Sequence, residues 1–244
     1  MKEVFDHISE KSLEYARNPM FVYLGDSGID SRKRLEFVPW ISHFVMTFAD
    51  LYNGFLVEEP ASDRLQELVN IHLHEESSHW KWFLADLETM GLNPVMKFTD
   101  ALRLLWGAET AATRKLAYGV CQLSAKLSSL EKLVLVHAIE ATGRVALEAL
   151  VPVGVEFGAA SGRKLVYFGQ HHLDTERGHT VEEESTRQFL EQIAITPSQL
   201  SGLNALVDEV FERFSTFADE AFERATNARA FPASRRDEQQ RLTA

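Results

Sequence analysis

Apolar residues recur at three- and four-residue steps through most of this chain, and alternating apolar–polar runs bounded by turn residues are nearly absent. That period belongs to helices burying one stripe each, so the sequence reads as an all-α bundle of about seven or more helices in a single domain. A first helix is expected over 2–17, ending at Asn18-Pro19, where proline stops the backbone ladder. After the Gly25-Asp26-Ser27-Gly28 turn a longer helix is expected from Ser31 to Leu56, bent at Pro39. Ala61-Ser62-Asp63 opens a third that runs unbroken to Met90 and stops at Gly91. Others are expected near 98–107, 109–127 and 129–150, the last ending before Pro152. One or two more lie between 161 and 194, and a final helix begins at Pro197-Ser198. No low-complexity linker divides the chain, so one domain is expected over 1–229, with 230–244 as a disordered tail.

Composition narrows the function classes. A formal net charge of -11 without a basic cluster argues against a nucleic-acid partner, because phosphate binding needs grouped Lys and Arg. Cys121 is the single cysteine, so neither an intrachain disulfide nor a thiolate zinc site can be built, and a reducing cytoplasm is the expected setting. No stretch approaches the roughly 18 apolar residues of a membrane span, so no membrane is expected as a partner. Phosphate-binding glycine loops and a Gly-x-Ser-x-Gly elbow are missing too.

One pattern carries chemistry, and it occurs twice. His72, Glu76 and His79 stand at i, i+4 and i+7, which on one continuous helix confines them to about 60° of arc. His172, Glu176 and His179 repeat both the spacing and the residue types. Imidazole and carboxylate suit Fe(II), Mn(II) or Zn(II), and carboxylates can bridge two ions across facing helices. Glu140 is the further carboxylate such a centre needs, since it stands alone in the apolar run Val136-His137-Ala138-Ile139-Glu140-Ala141. Glu75, three residues after His72 and four before His79, competes with Glu76. Gly143, one turn after Glu140, would leave room for a substrate, and Phe83 and Phe168 would line its cavity. The remaining candidates read as structural or surface groups: His7, His43, His74, His137, His171, Trp80 and Trp82. A zinc-protease pattern fails, because His79 comes one residue too late after His74-Glu75.

At these residues the chain resembles the haem-oxygenase-like dimetal oxidases, helical proteins that bind no haem and activate O2 at two non-haem irons. The likeness rests on the His172–Glu176–His179 pattern with Glu140 about thirty residues upstream. Further support comes from the Phe44–Leu51 segment, the His79-Trp80-x-Trp82-Phe83-Leu84 core and the Leu102-Arg103-x-x-Trp106 segment. It is most similar to the nitrile-synthase type that rebuilds a tryptophan side chain. The first ligand helix departs from the family pattern: His72 stands where a carboxylate is usual, seven residues before His79, and Glu76 or Glu75 is left to supply it. The resemblance implies two Fe(II) ions held by His72, Glu76, His79, Glu140, His172, Glu176 and His179, with Glu140 and His172 at the reacting centre. It also implies O2 as co-substrate and a small-molecule substrate of the amino-acid class. An external electron donor and a second copy of the chain remain open partners. Arg103, Arg114 and Arg144 are alternatives for holding a substrate carboxylate. Two rival readings stay open: a cofactor-free or thiaminase-like enzyme of the same fold, and a non-catalytic metal- or partner-binding module.

Overall fold

A single helix supplies the axis of the structure, a computed structural model that describes residues 1–176, 178–179 and 184–227. The reason is visible in its sequence: Leu133, Val134, Leu135, Val136, Ala138 and Ile139 are all buried, so this segment has no solvent face and must be enclosed. Numbered in chain order, this central helix is α9 (Ser129–Ser161), and it opens with a capping box in which Ser128 and Glu131 satisfy each other's backbone amides. Against it pack α1 (Lys2–Tyr15), α2 (Pro19–Leu24), α3 (Ser31–Arg34), α5 (Arg64–Glu76), α10 (Gln170–Glu176) and α12 (Pro197–Asn227). The last is amphipathic, burying Leu203, Val207, Val210, Phe211, Phe214, Ala218 and Ala221 along one stripe. A second layer holds α4 (Ser42–Leu51), α6 (His79–Met90) and α8 (Ala111–Ser124), with α7 (Phe98–Trp106) and α11 (Glu184–Glu191) at the periphery. The result is an all-α, single-domain bundle with no strand among the described residues. No helix of the described residues is long and apolar enough to cross a membrane. The expected tail, 230–244, lies outside the described residues.

Four expected helices are cut differently. The segment expected from Ser31 to Leu56 is not one bent helix. It divides into α3, a 3-10 turn at Val38–Ile41 that carries Pro39, α4, and a π-helical turn at Tyr52–Leu56. The segment expected to run from Ala61 to Met90 breaks at Ser77-Ser78, between α5 and α6. Ser77 Oγ donates to the His74 carbonyl at 2.7 Å, a local bond that competes with the helix ladder at a step no glycine or proline marks. The pattern at 172–179 is also split, since α10 ends at Glu176 and His179 follows in a turn, its amide donating to the Glu176 carbonyl at 3.3 Å. Conversely, α9 does not end before Pro152 but continues to Ser161. Pro152 and Glu148, whose carbonyl loses its donor, are both exposed, so water serves that oxygen while Leu150, Val151, Val153 and Phe157 anchor the opposite side.

Two polar devices hold the ligand-bearing helices in place. Buried Lys132 of α9 donates to Gln66 Oε1 at 2.8 Å. Gln66 Nε2 in turn reaches the Leu56 carbonyl at 2.9 Å and Asn70 Oδ1 at 2.8 Å, fixing α5 against both α9 and the end of the π-turn. At the other end Asp86 of α6, buried to 1% exposure, accepts from the amides of Val166 at 2.8 Å and Phe168 at 2.9 Å, pinning the loop that launches α10. That loop crosses α9 at Gly154, where an added Cβ would lie 2.1 Å from the Phe168 carbonyl oxygen. Both partners there are backbone, so neither can swing aside. Gly154→Ala is expected to lower unfolding stability by about 1–3 kcal/mol, the usual cost of overpacking; urea denaturation reads it, and an unchanged midpoint would mean the crossing is not tight.

Candidate metal centre

Ligand-capable groups arrive here from the ends of helices. His72 and Glu76 come from the last turns of α5, His79 from the first residue of α6, Glu140 from the middle of α9, His172 and Glu176 from α10, and His179 from the turn after it. All seven expected ligands therefore converge, although neither triplet lies on one continuous helix. Their burial is deep: His72 is 1% exposed, His79 6%, His172 5% and His179 4%.

The separations are short. His79 Nδ1 lies 2.8 Å from Glu76 Oε2 and 3.3 Å from Glu176 Oε1. His179 Nδ1 lies 3.0 Å from Glu76 Oε1 and 3.2 Å from Glu176 Oε2. His172 Nε2 is 2.8 Å from Glu176 Oε1, and His72 Nε2 is 3.1 Å from Glu140 Oε1. Donor atoms of Glu76, His79, Glu176 and His179 fall within 4.8 Å of one another, and so do those of His72, Glu76 and Glu140. Glu76 belongs to both groups. Glu75 forms a third such group, with His72 and His179.

Whether these residues fit a metal is decided by their hydrogen bonding. His72 Nε2, His79 Nδ1, His179 Nδ1 and Glu76 Oε1 are buried and meet no hydrogen-bond partner with acceptable angles, despite the close oxygens. Buried polar atoms left this way are costly unless something else satisfies them. A cation between them would do so, and the all-nitrogen-and-oxygen donor set suits a divalent ion of borderline or hard character. His172 shows the accompanying orientation: its Nδ1 donates to the Tyr167 carbonyl at 2.8 Å, which directs Nε2 toward Glu176. The ring of Trp82 stacks on His79 at 4.4 Å and 20°, fixing that imidazole from its open side. The residues fit a metal centre.

Electrostatics in the metal-free site follow from the same packing. Burial alone would push the His79 ring down, but Glu176 and Glu76 outweigh it and hold its pKa at about 9. The same balance lifts His179 to about 10 and raises His72 beside Glu140. Burial works against the carboxylates as well, yet His172, His179 and His79 hold Glu176 well below the ordinary range. Glu140, largely enclosed and facing Glu76, is pushed up to about 6. Protons on the imidazoles thus take the place a cation would fill.

A cavity of about 170 Å³ adjoins the cluster, walled by Phe44, Phe48, Trp80, Phe168, Phe214 and Phe217. Gly143 borders it, and a Cβ there would meet nothing within 4 Å. Phe83 is a correction: it is fully buried and packs on Tyr167 and Phe168, in the core behind the cavity wall. Trp80, read as core, lines the cavity instead. Arg144 borders it as well; Arg103 is exposed and paired with Asp100 at 2.6 Å, and Arg114 donates to the carbonyls of Leu105 and Gly107. Asp86 and Tyr167, which orient the α10 side of the site, went unnoticed in the sequence. Asp86 had a signal, as a charge within the apolar stripe His79, Phe83, Met90 of α6; Tyr167 acts through its carbonyl and had none.

The remaining histidines stand apart from the centre. His74 is largely exposed, with Nδ1 2.6 Å from the Asn70 carbonyl; His137 packs on Phe5, and His171 on the edge of Trp82. No protein-family model and no curated protein matches the chain.

Because the folded pKa values of His79 and His179 lie above the free value of 6.5, their contribution to stability is complete below about pH 6.5. It is lost as pH rises through about 9 to 10. The metal-free protein is therefore expected to melt at progressively lower temperature over that window. A divalent ion should flatten or reverse the slope, because it binds only deprotonated imidazole. Calorimetric scans with chelator and with Mn(II) test this, and parallel slopes would separate the cluster from metal binding.

Proposed function

We propose that this chain is an O2-activating non-haem diiron oxidoreductase that acts on an amino acid or a close derivative. The observation that carries the reading is the buried group of four imidazoles and three carboxylates around Glu76, set against an aromatic-walled cavity. Two divalent ions bring four positive charges, and Glu76, Glu140 and Glu176 offset three of them, so the loaded site favours one more anionic ligand. Iron and O2 come from the resemblance to the haem-oxygenase-like dimetal oxidases; the donor set by itself also admits manganese or zinc.

Within that reading, two Fe(II) ions would supply the reducing electrons for O2 and the power to oxidise a C–H or N–H bond. The chain's own residues do the rest. His72, Glu76 and Glu140 would hold one ion, and Glu76, His79, His172, Glu176 and His179 would hold the other. Aromatic walls exclude water and hold the apolar part of the substrate, while Gly143 leaves the approach to Glu140 open. Arg144 borders the cavity and is the cation we assign to a substrate carboxylate, an exchange of its present partner for the substrate.

Anaerobic Fe(II) titration is expected to saturate near two ions per chain. Glu76→Ala should lose both, because its carboxylate is common to both groups. Glu140→Ala should retain about one, and His179→Ala should weaken binding at least about 100-fold. Exposure of the loaded protein to O2 with each common amino acid, tryptophan included, is expected to show substrate-accelerated O2 consumption. Arg144→Gln should raise KM for that amino acid about 10–100-fold with a smaller change in kcat, the loss of one charge-assisted contact. Absence of metal binding at neutral pH would sink the proposal in favour of a cofactor-free enzyme. Iron uptake without O2 consumption would leave a metal-binding module.

A further inference from the structure

Among the described residues, α7 keeps an apolar stripe that nothing covers. Helix α7 has no buried residue, although its sequence is strongly amphipathic. Ala101, Leu104 and Leu105 turn toward the body and are half-buried. Phe98, Leu102 and Trp106, one turn apart on the adjoining arc, extend the same apolar face outward at 77%, 38% and 58% exposure. The preceding Val95 is 95% exposed. Trp106 meets the His43 ring at 5.7 Å, and His43 meets Tyr118, itself 56% exposed, at 5.9 Å, so the stripe continues onto α8 as one patch. Burial and the nearby Arg114 push the His43 pKa down, so the ring adds no charge to the patch near neutrality.

The helix is presented firmly. Thr110 Oγ1 donates to the Leu104 carbonyl at 2.7 Å, and Arg114 donates to the carbonyls of Leu105 at 2.6 Å and Gly107 at 2.9 Å, closing the C-terminal end of α7. A nine-residue helix with a solvated apolar face is not stable on its own. Its C-terminal end is fixed, its stripe is bare of described residues, and polar Thr99, Asp100 and Arg103 border it.

We infer that this face is the contact surface of a homodimer, in which α7 packs antiparallel on α7 of a second copy across a two-fold axis near Leu102. Two features select a second copy. The first is self-complementarity: with aromatic residues four positions to either side of Leu102, a two-fold axis there sets Phe98 of each chain against Trp106 of the other and Leu102 against itself. The second is area. At roughly 150–250 Å² for a whole aromatic side chain, the bare fractions of Phe98, Trp106 and Tyr118 expose on the order of 400 Å². That is about half of the ~800 Å² each partner buries in a specific interface, the share expected of an apolar centre inside a polar rim.

The experiment uses the full chain, and its reading is independent of any metal. Sedimentation equilibrium at micromolar concentration is expected to give twice the 27.6 kDa of one chain. Phe98→Glu combined with Trp106→Glu should weaken association at least 100-fold while circular dichroism keeps the helix content of the parent. In a Cys121→Ser background, Leu102→Cys should form an interchain disulfide under mild oxidation, and Gln199→Cys, on exposed α12, should not. The inference is overturned by a monomer at all concentrations with no Leu102 cross-link, or by a dimer that survives the double charge substitution. It is equally overturned if the full chain is monomeric and dimerises only after residues 228–244 are removed, which would make that segment the occupant of the face. Monomers that pellet with zwitterionic vesicles, and lose this with the Phe98 and Trp106 substitutions, would also overturn it and assign the stripe to lipid.

Discussion

Charge neutrality inside an apolar bundle is the condition everything else here serves. Three carboxylates cannot sit behind helices α5, α9 and α10 unless positive charge enters with them, because desolvation costs several kcal/mol per uncompensated ion. The chain supplies that compensation from imidazoles, the one side chain able to be a cation when the site is empty of metal and a neutral donor when it is filled. The elevated pKa values of His79 and His179 and the depressed one of Glu176 are two sides of this balance. Holding it requires the ligand atoms to stay within a few ångströms, so the polar anchors at Lys132–Gln66 and Asp86–Phe168 belong to the electrostatics as much as to the fold.

The helix breaks follow from the same demand. On an unbroken helix, His72 and His79 would stand about 10 Å apart along the axis with Glu76 between them, so the ligands would be strung along one line. Turning the chain at Ser77-Ser78 folds His79 back toward Glu76, at 2.8 Å, and the turn after Glu176 does the same for His179 at 3.2 Å. What looks like a defect in two helices is what gathers the ligands.

This explains what was and was not legible in the sequence. The all-α class was readable because apolar spacing is a local signal, and the ligand residue types stood out because charged groups in apolar stripes need partners. Breaks at Ser77 and Glu176 were not, since they depend on a serine hydroxyl choosing the His74 carbonyl and on distant packing, with no proline or glycine at the first of them. Pro152 misled in the opposite direction: a proline signal is overridden when its orphaned carbonyl faces water and the other face is buried. Phe83 shared the stripe of His79, yet lay one layer too deep, a distinction in radius that helical phase does not encode. The proposed iron, O2 chemistry and amino-acid substrate rest on the family resemblance alone.

Trp82 lies flat against His79 at 4.4 Å and edge-on to His172 at 5.5 Å, so an indole is in contact with two of the groups whose protonation and ligation change. Its excited state is therefore coupled to the site. Protonated imidazole and paramagnetic ions both quench indole emission at such range, by different routes and with different lifetimes. Among the protein's four tryptophans, Trp82 is thus an intrinsic fluorophore placed to report on the centre without any added dye.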